Sequence, residues 1–122
     1  TYVLPDGDVG FLDWQVLRRG NWSQDVGYFL VSALTDADRR SHERALLEVY
    51  RSALDVPKDQ VPTAEHAWLQ YRAAPAYGLA IWLSTLGTDG WQSRDISLIL
   101  AQRFAAAFVE LDSVSALQHI AL

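Results

Sequence analysis

The chain has 122 residues, half of them hydrophobic, and a net charge of −5 at neutral pH. This length and composition predict one folded domain with a sizeable core and exclude a disordered chain. The sequence contains no cysteine, which excludes disulfides and thiolate metal sites. Since this also fits a reducing compartment, we expect a cytoplasmic protein.

Charge and hydropathy exclude two further classes. Lys58 is the only lysine, and the arginines form no basic stripe, so we expect no nucleic-acid partner. No apolar run approaches the roughly 20 residues that span a bilayer, and no signal peptide opens the chain, so we expect no membrane partner. The chain begins at Thr1 and contains no methionine, which indicates that it was excised from a longer protein.

The first predicted element is a β-hairpin over residues 1–14. Its apolar runs, residues 2–4 and 9–14, are separated by Pro5-Asp6-Gly7-Asp8, a turn sequence in which the glycine can adopt positive φ. A two-stranded hairpin is only marginally stable alone in water. We therefore expect it to pack on the helices that follow or on strands outside the chain.

Apolar residues recur at helical spacing over residues 22–122. Helices are predicted to start at Trp22 (capped by Asn21 or Ser23), at Thr35 or Asp36, after Thr63, after Ser93 and at Ser113. Gly27 within the first helix predicts the close approach of another backbone, and Pro75 should kink or break the third, which runs towards Gly87. The predicted fold class is mainly α, a hairpin followed by about five helices in a single domain, 1–122.

Two helix faces follow from the same spacing. On the second helix, Glu43 is placed on the polar face with His42, Arg44 and Arg51. The fourth helix has an apolar face made of Ile96, Ile99, Leu100, Phe104, Ala107, Phe108 and Leu111. Arg103 interrupts this face, and we expect it to reach solvent or to pair with Glu110 or Asp112.

Asp13 is the first residue with candidate chemistry. It ends an apolar run, between Leu12 and Trp14. One interpretation is an aspartate that closes a turn with Gln15 or Val16. The other is a divalent-cation ligand, because Mg²⁺ prefers one or two carboxylates together with substrate phosphates, and a strand end holds a carboxylate on a rigid support.

The residues around Asp13 resemble kinase-like phosphotransferases of the aminoglycoside phosphotransferase/choline kinase type. In that family a hydrophobic strand ends in Ile/Leu-Asp-Trp, a loop with glycine follows, and Asp-Leu-Ala or a similar motif starts a helix. The matching pieces here are Leu12-Asp13-Trp14, Gly20 and Asp25-Val26-Gly27. Patterns of apolar spacing extend the resemblance over essentially the whole chain.

The resemblance implies a role for each acidic residue. Asp13 corresponds to the aspartate that binds the magnesium of the nucleotide, so the implied cofactors are Mg²⁺ and, for the full-length protein, ATP. Asp25 corresponds to a buried structural acid that hydrogen-bonds backbone amides of the catalytic loop. A first-turn acid favoured by the helix macrodipole is an equally sufficient reason for Asp25.

The family's catalytic loop, His-Gly-Asp followed by Asn, does not occur in the chain, and neither does the nucleotide-binding lobe with its strand lysine. The resemblance therefore implies the C-terminal subdomain of a protein-kinase-like fold, with no catalytic residue in this chain. The missing N-terminal lobe and catalytic loop of the same protein would be its partners, and a small-molecule hydroxyl would be the acceptor. We expect the parent protein to be a small-molecule kinase and the isolated chain to be inactive.

Two other groups of residues are candidates. Tyr71, Arg72, Tyr77 and Trp82 lie around Pro75, where they either pack in the core or, by the resemblance, form part of an acceptor-substrate pocket. The three histidines, His42, His66 and His119, are placed on separate helices without the spacing of a helical metal site, which favours surface or capping roles.

A second class of function is a non-catalytic helical interaction module, including a degenerate relative of the kinases. It is motivated by the missing lobe and by the apolar surface that a lone hairpin exposes, since such surface usually marks an interface. On this hypothesis the isolated chain forms a homo-oligomer or packs through its hairpin.

Overall fold

The computed structural model of the chain describes residues 1–14, 17–88 and 90–120. Strand β1, Tyr2–Val3, pairs antiparallel with β2, Val9–Gly10, so that Tyr2 faces Gly10 and Val3 faces Val9. Backbone hydrogen bonds from Leu4 N to Asp8 O and from Gly7 N to Leu4 O close the turn at 2.8 and 2.9 Å. Gly7 has φ +93°, which confirms the predicted turn, since this conformation costs glycine little.

The first two helices begin at polar caps. Helix α1, Trp22–Ala33, is capped by Asn21, whose side chain accepts from Ser23 N at 3.0 Å. Helix α2, Asp36–Ala53, is capped by Thr35, which accepts from Asp38 N at 3.2 Å. In both cases the cap satisfies a backbone N–H that has no partner within the helix.

The third predicted helix is divided in two. Helix α3, Ala64–Ala73, starts at the Thr63 cap, and α4, Pro75–Leu86, follows after Ala74 alone. Pro75 has no N–H, so no backbone hydrogen bond can run from it to the preceding turn. The break that the proline predicts is therefore confirmed, and a short 3-10 turn, Lys58–Gln60, lies in the loop before α3.

Two further helices end the described part of the chain. Helix α5, Arg94–Glu110, starts at the Ser93 cap and packs along α4. Helix α6, Ser113–Ile120, follows a sharp turn in which Asp112 has φ +49°, and it packs against α3. The predicted fold class, mainly helical with an N-terminal hairpin, is confirmed, whereas the assignment of residues 1–122 to one domain stays a prediction.

The core lies among the helices. It is made of Leu30, Val31, Leu47, Tyr71, Phe104, Ala107 and Leu111. A Cβ on Gly27 would overlap Ala74 Cβ, and one on Gly78 would overlap the Phe104 ring. These two glycines therefore let α1 and α5 approach the α3–α4 segment, as predicted for Gly27. The apolar face predicted for α5 is wrong at its first turns, where Ile96 and Ile99 are exposed.

A cluster of charges joins α2, α3 and α5. Arg39 is only 1% exposed and donates to Glu43 Oε2 at 2.6 Å, one turn along α2. Arg39 and Arg40 both donate to Glu110 near the end of α5. The Tyr71 hydroxyl of α3 donates to Glu43 Oε2 at 3.0 Å. Since a buried charge is tolerated only when it is paired, this cluster helps to fix how the three helices sit.

The cluster shows that the predicted polar face of α2 is wrong at one position, and it shifts the pKa values of Tyr71 and Glu110. Placing Glu43 on the polar face of α2 is wrong, because Arg39 and Tyr71 satisfy its carboxylate in the interior. Burial and the Glu43 carboxylate raise the pKa of the Tyr71 phenol well above its ordinary value. The hydrogen bond from Arg40, followed by that from Arg39, holds the pKa of Glu110 below its usual range.

Arg103 has a different partner from those predicted. Its guanidinium donates to the Ser32 carbonyl at 2.5 Å, near the C-terminal end of α1. A cation is favoured there because the last carbonyls of a helix carry partial negative charge. Of the two expected partners, Glu110 binds Arg39 and Arg40, and Asp112 binds Arg72.

Candidate functional site

The largest apolar surface near Asp13 is the hairpin segment, defined as residues 1–14. Seven of its side chains are between 42% and 71% exposed, namely Tyr2, Val3, Leu4, Val9, Phe11, Leu12 and Trp14. The Phe11 and Trp14 rings meet edge to face with their centroids 6.3 Å apart. The expectation that the hairpin packs on the helices is wrong for these seven side chains. Apolar side chains of both strands and of the residues that follow β2 are therefore open to solvent.

Asp13 lies at the end of this segment with its side chain exposed. Its φ is +72°, a left-handed conformation that aspartate adopts more readily than most residues other than glycine. The alternative role, closing a turn with Gln15 or Val16, falls on residues outside the described ranges. After Asp13, a backbone hydrogen bond runs from Leu17 N to Trp14 O at 3.0 Å.

Among the described residues, Asp13 is not part of a ready-made metal centre. Within residues 1–14, 17–88 and 90–120, no three His, Cys, Asp or Glu side chains are grouped so that they could hold a metal ion. The Nδ1 atoms of His42 and His119 lie within 2.9 and 2.7 Å of carbonyls one turn earlier in their own helices. Cation binding at Asp13, with Mg²⁺ and ATP as its cofactors, stays a prediction.

Asp25 lies in the first turn of α1, where the helix macrodipole favours an acid. Its side chain is exposed. It contributes, after burial, to the raised pKa of Tyr50. The role in supporting a catalytic loop stays a prediction, because the residues that it would contact are not part of this chain.

Two of the four predicted pocket residues are engaged inside the helical body. Tyr71 is buried and bound to Glu43. Arg72 donates from Nε to the Leu111 carbonyl at 2.6 Å and from Nη2 to Asp112. The Tyr71 contact joins α3 to α2, and the Arg72 contacts hold α3 against the turn between α5 and α6.

The other two lie on α4. The Tyr77 ring is half-exposed, 6.4 Å from the Tyr28 ring between centroids, and the Arg18 guanidinium lies 5.4 Å above it. Trp82 is partly buried against the core and, like Tyr77, lies beside Tyr28. Tyr71 and Arg72 contact other elements, and the role of the four residues as an acceptor pocket stays a prediction.

The depressions in the surface lie elsewhere. One of about 520 Å³ is shallow and lies along α2, lined by Ala45, Glu48, Val49, Ser52 and Ala53. A smaller one of about 160 Å³ lies between α2 and α3. Neither is lined by Asp13 or by the four predicted pocket residues. In the described part of the chain, no helix has the length and apolar character needed to cross a membrane.

Comparison with known proteins gives one match. The model of the family described as DUF1679, "Uncharacterized oxidoreductase dhs-27", matches residues 10–64, fewer than half of the chain's 122 residues. The matched range contains Asp13, Gly20 and Asp25, and the family is kinase-like in broad terms. No curated protein and no solved structure matches the chain.

This match corrects the expected enzyme class. We predicted a small-molecule kinase as the parent protein, but the matched family is named an oxidoreductase, which points away from a kinase. The relation to the aminoglycoside phosphotransferase/choline kinase type is likewise supported only at the coarser, kinase-like level.

Proposed function

We propose that the chain acts as a non-catalytic helical interaction module. Its hairpin segment docks on a partner that offers an open β-strand edge with apolar side chains. The observation that carries the proposal is the exposure of the seven apolar side chains of the hairpin segment. Exposed apolar surface on this scale marks interaction sites in folded proteins.

The backbone of the hairpin supports the same function. A sheet of two strands is marginal in water and needs a further strand or a packing face. Among the described residues β1 pairs only with β2, so each strand has one unpaired edge. Such edges bind extended segments through backbone hydrogen bonds, with side chains adding specificity.

An apolar dye, 8-anilinonaphthalene-1-sulfonate, tests whether the hairpin segment is the binding surface. The Phe11→Ser/Leu12→Ser variant should lose about half or more of the dye fluorescence of the parent chain, because it removes two large exposed apolar groups. The matched control is Val49→Ser/Val109→Ser, which changes two exposed valines on α2 and α5. Equal fluorescence for the hairpin variant and the parent chain would refute the proposal.

A second proposal concerns Asp13, as a ligand of a divalent cation. The exposure of this aspartate leaves its carboxylate accessible to such a cation. One carboxylate is enough when water or the phosphate oxygens of a nucleotide such as ATP supply the other positions of Mg²⁺.

Mn²⁺ alone serves as the probe for this ligand. In NMR spectra of the parent chain, paramagnetic Mn²⁺ should broaden the signals of residues around Asp13. Asp13→Asn should weaken that binding by about tenfold, because one carboxylate ligand is removed. Asp55→Asn, in an exposed loop after α2, should have no effect. If Asp13→Asn binds Mn²⁺ as the parent does, the ligand role is wrong.

A further inference from the structure

We infer that the strand edge that docks on the hairpin segment belongs to a second copy of this chain. Two copies pair their β2 strands antiparallel about a twofold axis and form one four-stranded sheet. This inference rests on the proposed function, because it names the partner of the same surface. It is argued from the exposed area, from the direction of the backbone groups and from the symmetry of the pairing.

The chain exposes more surface than a compact monomer of its size. Such a monomer of 13.7 kDa exposes about 6,600 Å², whereas this chain exposes 8516 Å². The excess of roughly 1,900 Å² is spread over the whole chain, because large apolar side chains are exposed on the helices as well as on the hairpin segment. Obligate dimers bury more than about 2,000 Å² in total, or about 1,000 Å² per partner. The seven exposed side chains of the hairpin segment can contribute to an interface of that size.

The backbone groups of β2 identify which residues would pair. Leu4 N bonds to Asp8 O, so positions 4 and 8 form a hydrogen-bonded pair of the hairpin. Hydrogen-bonded and non-hydrogen-bonded pairs alternate along an antiparallel ladder. Val9, which faces Val3, therefore turns its N–H and C=O away from β1, and Phe11 does the same. These groups form the open edge of β2.

Twofold symmetry limits the possible registers, and we take the one that is centred on Gly10. A strand that pairs with its own copy about a twofold axis must run antiparallel, and the same residues supply both sides of the contact. With the axis at Gly10, Val9 of each copy faces Phe11 of the other, so the outward groups of both residues are paired. Val9 and Phe11 of both copies then lie on the same face of the four-stranded sheet, because residues two apart in a strand share a face.

Site-directed disulfides test this register, because the chain has no cysteine of its own. Residues in a hydrogen-bonded antiparallel pair have Cα atoms about 5.5 Å apart, within the range that a disulfide spans. A mixture of Val9→Cys and Phe11→Cys chains should form a mixed disulfide at least about tenfold faster than a mixture of Val109→Cys and Phe11→Cys chains. Preassociation makes only the first reaction effectively intramolecular.

Sedimentation of two Phe11 variants separates backbone pairing from apolar contact. The parent chain should sediment as a dimer of 13.7 kDa protomers. Phe11→Pro removes the N–H at the open edge and should abolish the dimer, whereas Phe11→Ala keeps that N–H and should weaken it less. Circular dichroism confirms that each variant keeps its helices.

The remaining outcomes distinguish the docking function of the hairpin segment from pairing with a second copy. A parent chain that stays monomeric, while the hairpin variant still loses dye binding, overturns the self-pairing and leaves the docking function standing. A dimer that survives Phe11→Pro and gives no mixed disulfide also overturns the self-pairing. A monomer whose dye binding is unaffected by the hairpin variant overturns both.

Discussion

Gly27 shows, at the scale of a residue, why a single missing side chain matters in this fold. Its backbone lies so close to Ala74 that an added Cβ would overlap Ala74 Cβ. Intrinsic helix propensity favours alanine over glycine by about 1 kcal/mol. The contact acts in the opposite direction and is the larger effect, because overpacking a tight contact costs about 1–3 kcal/mol.

We therefore expect Gly27→Ala to lower the free energy of unfolding by about 1 kcal/mol, which is an overpacking cost of about 2 kcal/mol less the gain of about 1 kcal/mol in helix propensity. Urea unfolding, monitored by circular dichroism, measures this change in the free energy of unfolding. Gly20→Ala is the control, since nothing lies within 4 Å of a Cβ there. If Gly27→Ala is as stable as the parent chain or more stable, the close approach of α1 to Ala74 is not as described.

Glu43 and Arg103 show what residue-by-residue reasoning missed. A charged residue in a helix is expected to face water, because burial of an unpaired charge is expensive. Arg39 and Tyr71 remove this penalty for Glu43, and the Ser32 carbonyl does so for Arg103. The spacing of Arg39 and Glu43 at i and i+4 was the one local signal that could have indicated the pair.

Between elements, Glu110 ties α5 to α2. Arg40 and Arg39 hold its pKa below the usual range, so the carboxylate is more easily ionised in the folded chain than in the unfolded one. A group with a depressed folded pKa contributes stability above its unfolded pKa and loses it as the pH falls through the folded value.

We expect the free energy of unfolding to fall as the pH drops below about 4.5, the ordinary value for this carboxyl. Glu110→Gln should lower stability at pH 7 and flatten the pH dependence in this acid range. Urea titrations between about pH 3 and pH 7 measure both effects. The control, Glu65→Gln, changes an exposed acid in the first turn of α3. If the stability of Glu110→Gln falls between about pH 7 and pH 3 as steeply as that of the parent chain, Glu110 is not the source of the pH dependence.

The helices themselves follow from local sequence. Asn21, Thr35, Thr63 and Ser93 each accept a hydrogen bond from a backbone N–H of the helix that follows. Such caps act over one turn and need no tertiary contact. Pro75 is equally local, because its missing N–H breaks the hydrogen-bond ladder wherever the segment lies.

For the whole molecule, charge acts against the proposed dimer. The chain carries a net charge of −5, and antiparallel pairing of the hairpins brings the Asp6–Asp8 turn of one copy near Asp13 of the other. Exposed like charges repel, and salt screens this repulsion over about 10 Å at 0.1 M. The apolar contacts and backbone pairing do not depend on ionic strength in this way.

Raising the salt concentration from about 0.05 to about 0.5 M should therefore strengthen self-association. Sedimentation at matched protein concentrations measures it. Asp13→Asn should reduce the salt dependence, and Asp55→Asn, away from the hairpin, should not. Weaker association at high salt would mean that ion pairs hold the copies together, against the proposed arrangement.

The sequence by itself determined the hairpin turn, the helix starts, the break at Pro75 and the mainly helical class, because turn geometry, capping and hydrophobic period act over a few residues. Only the tertiary structure decided that Glu43 is buried, that Arg103 binds α1 and that the hairpin segment stands open to solvent. Burial and pairing depend on which distant elements meet, and no spacing within one segment contains that information.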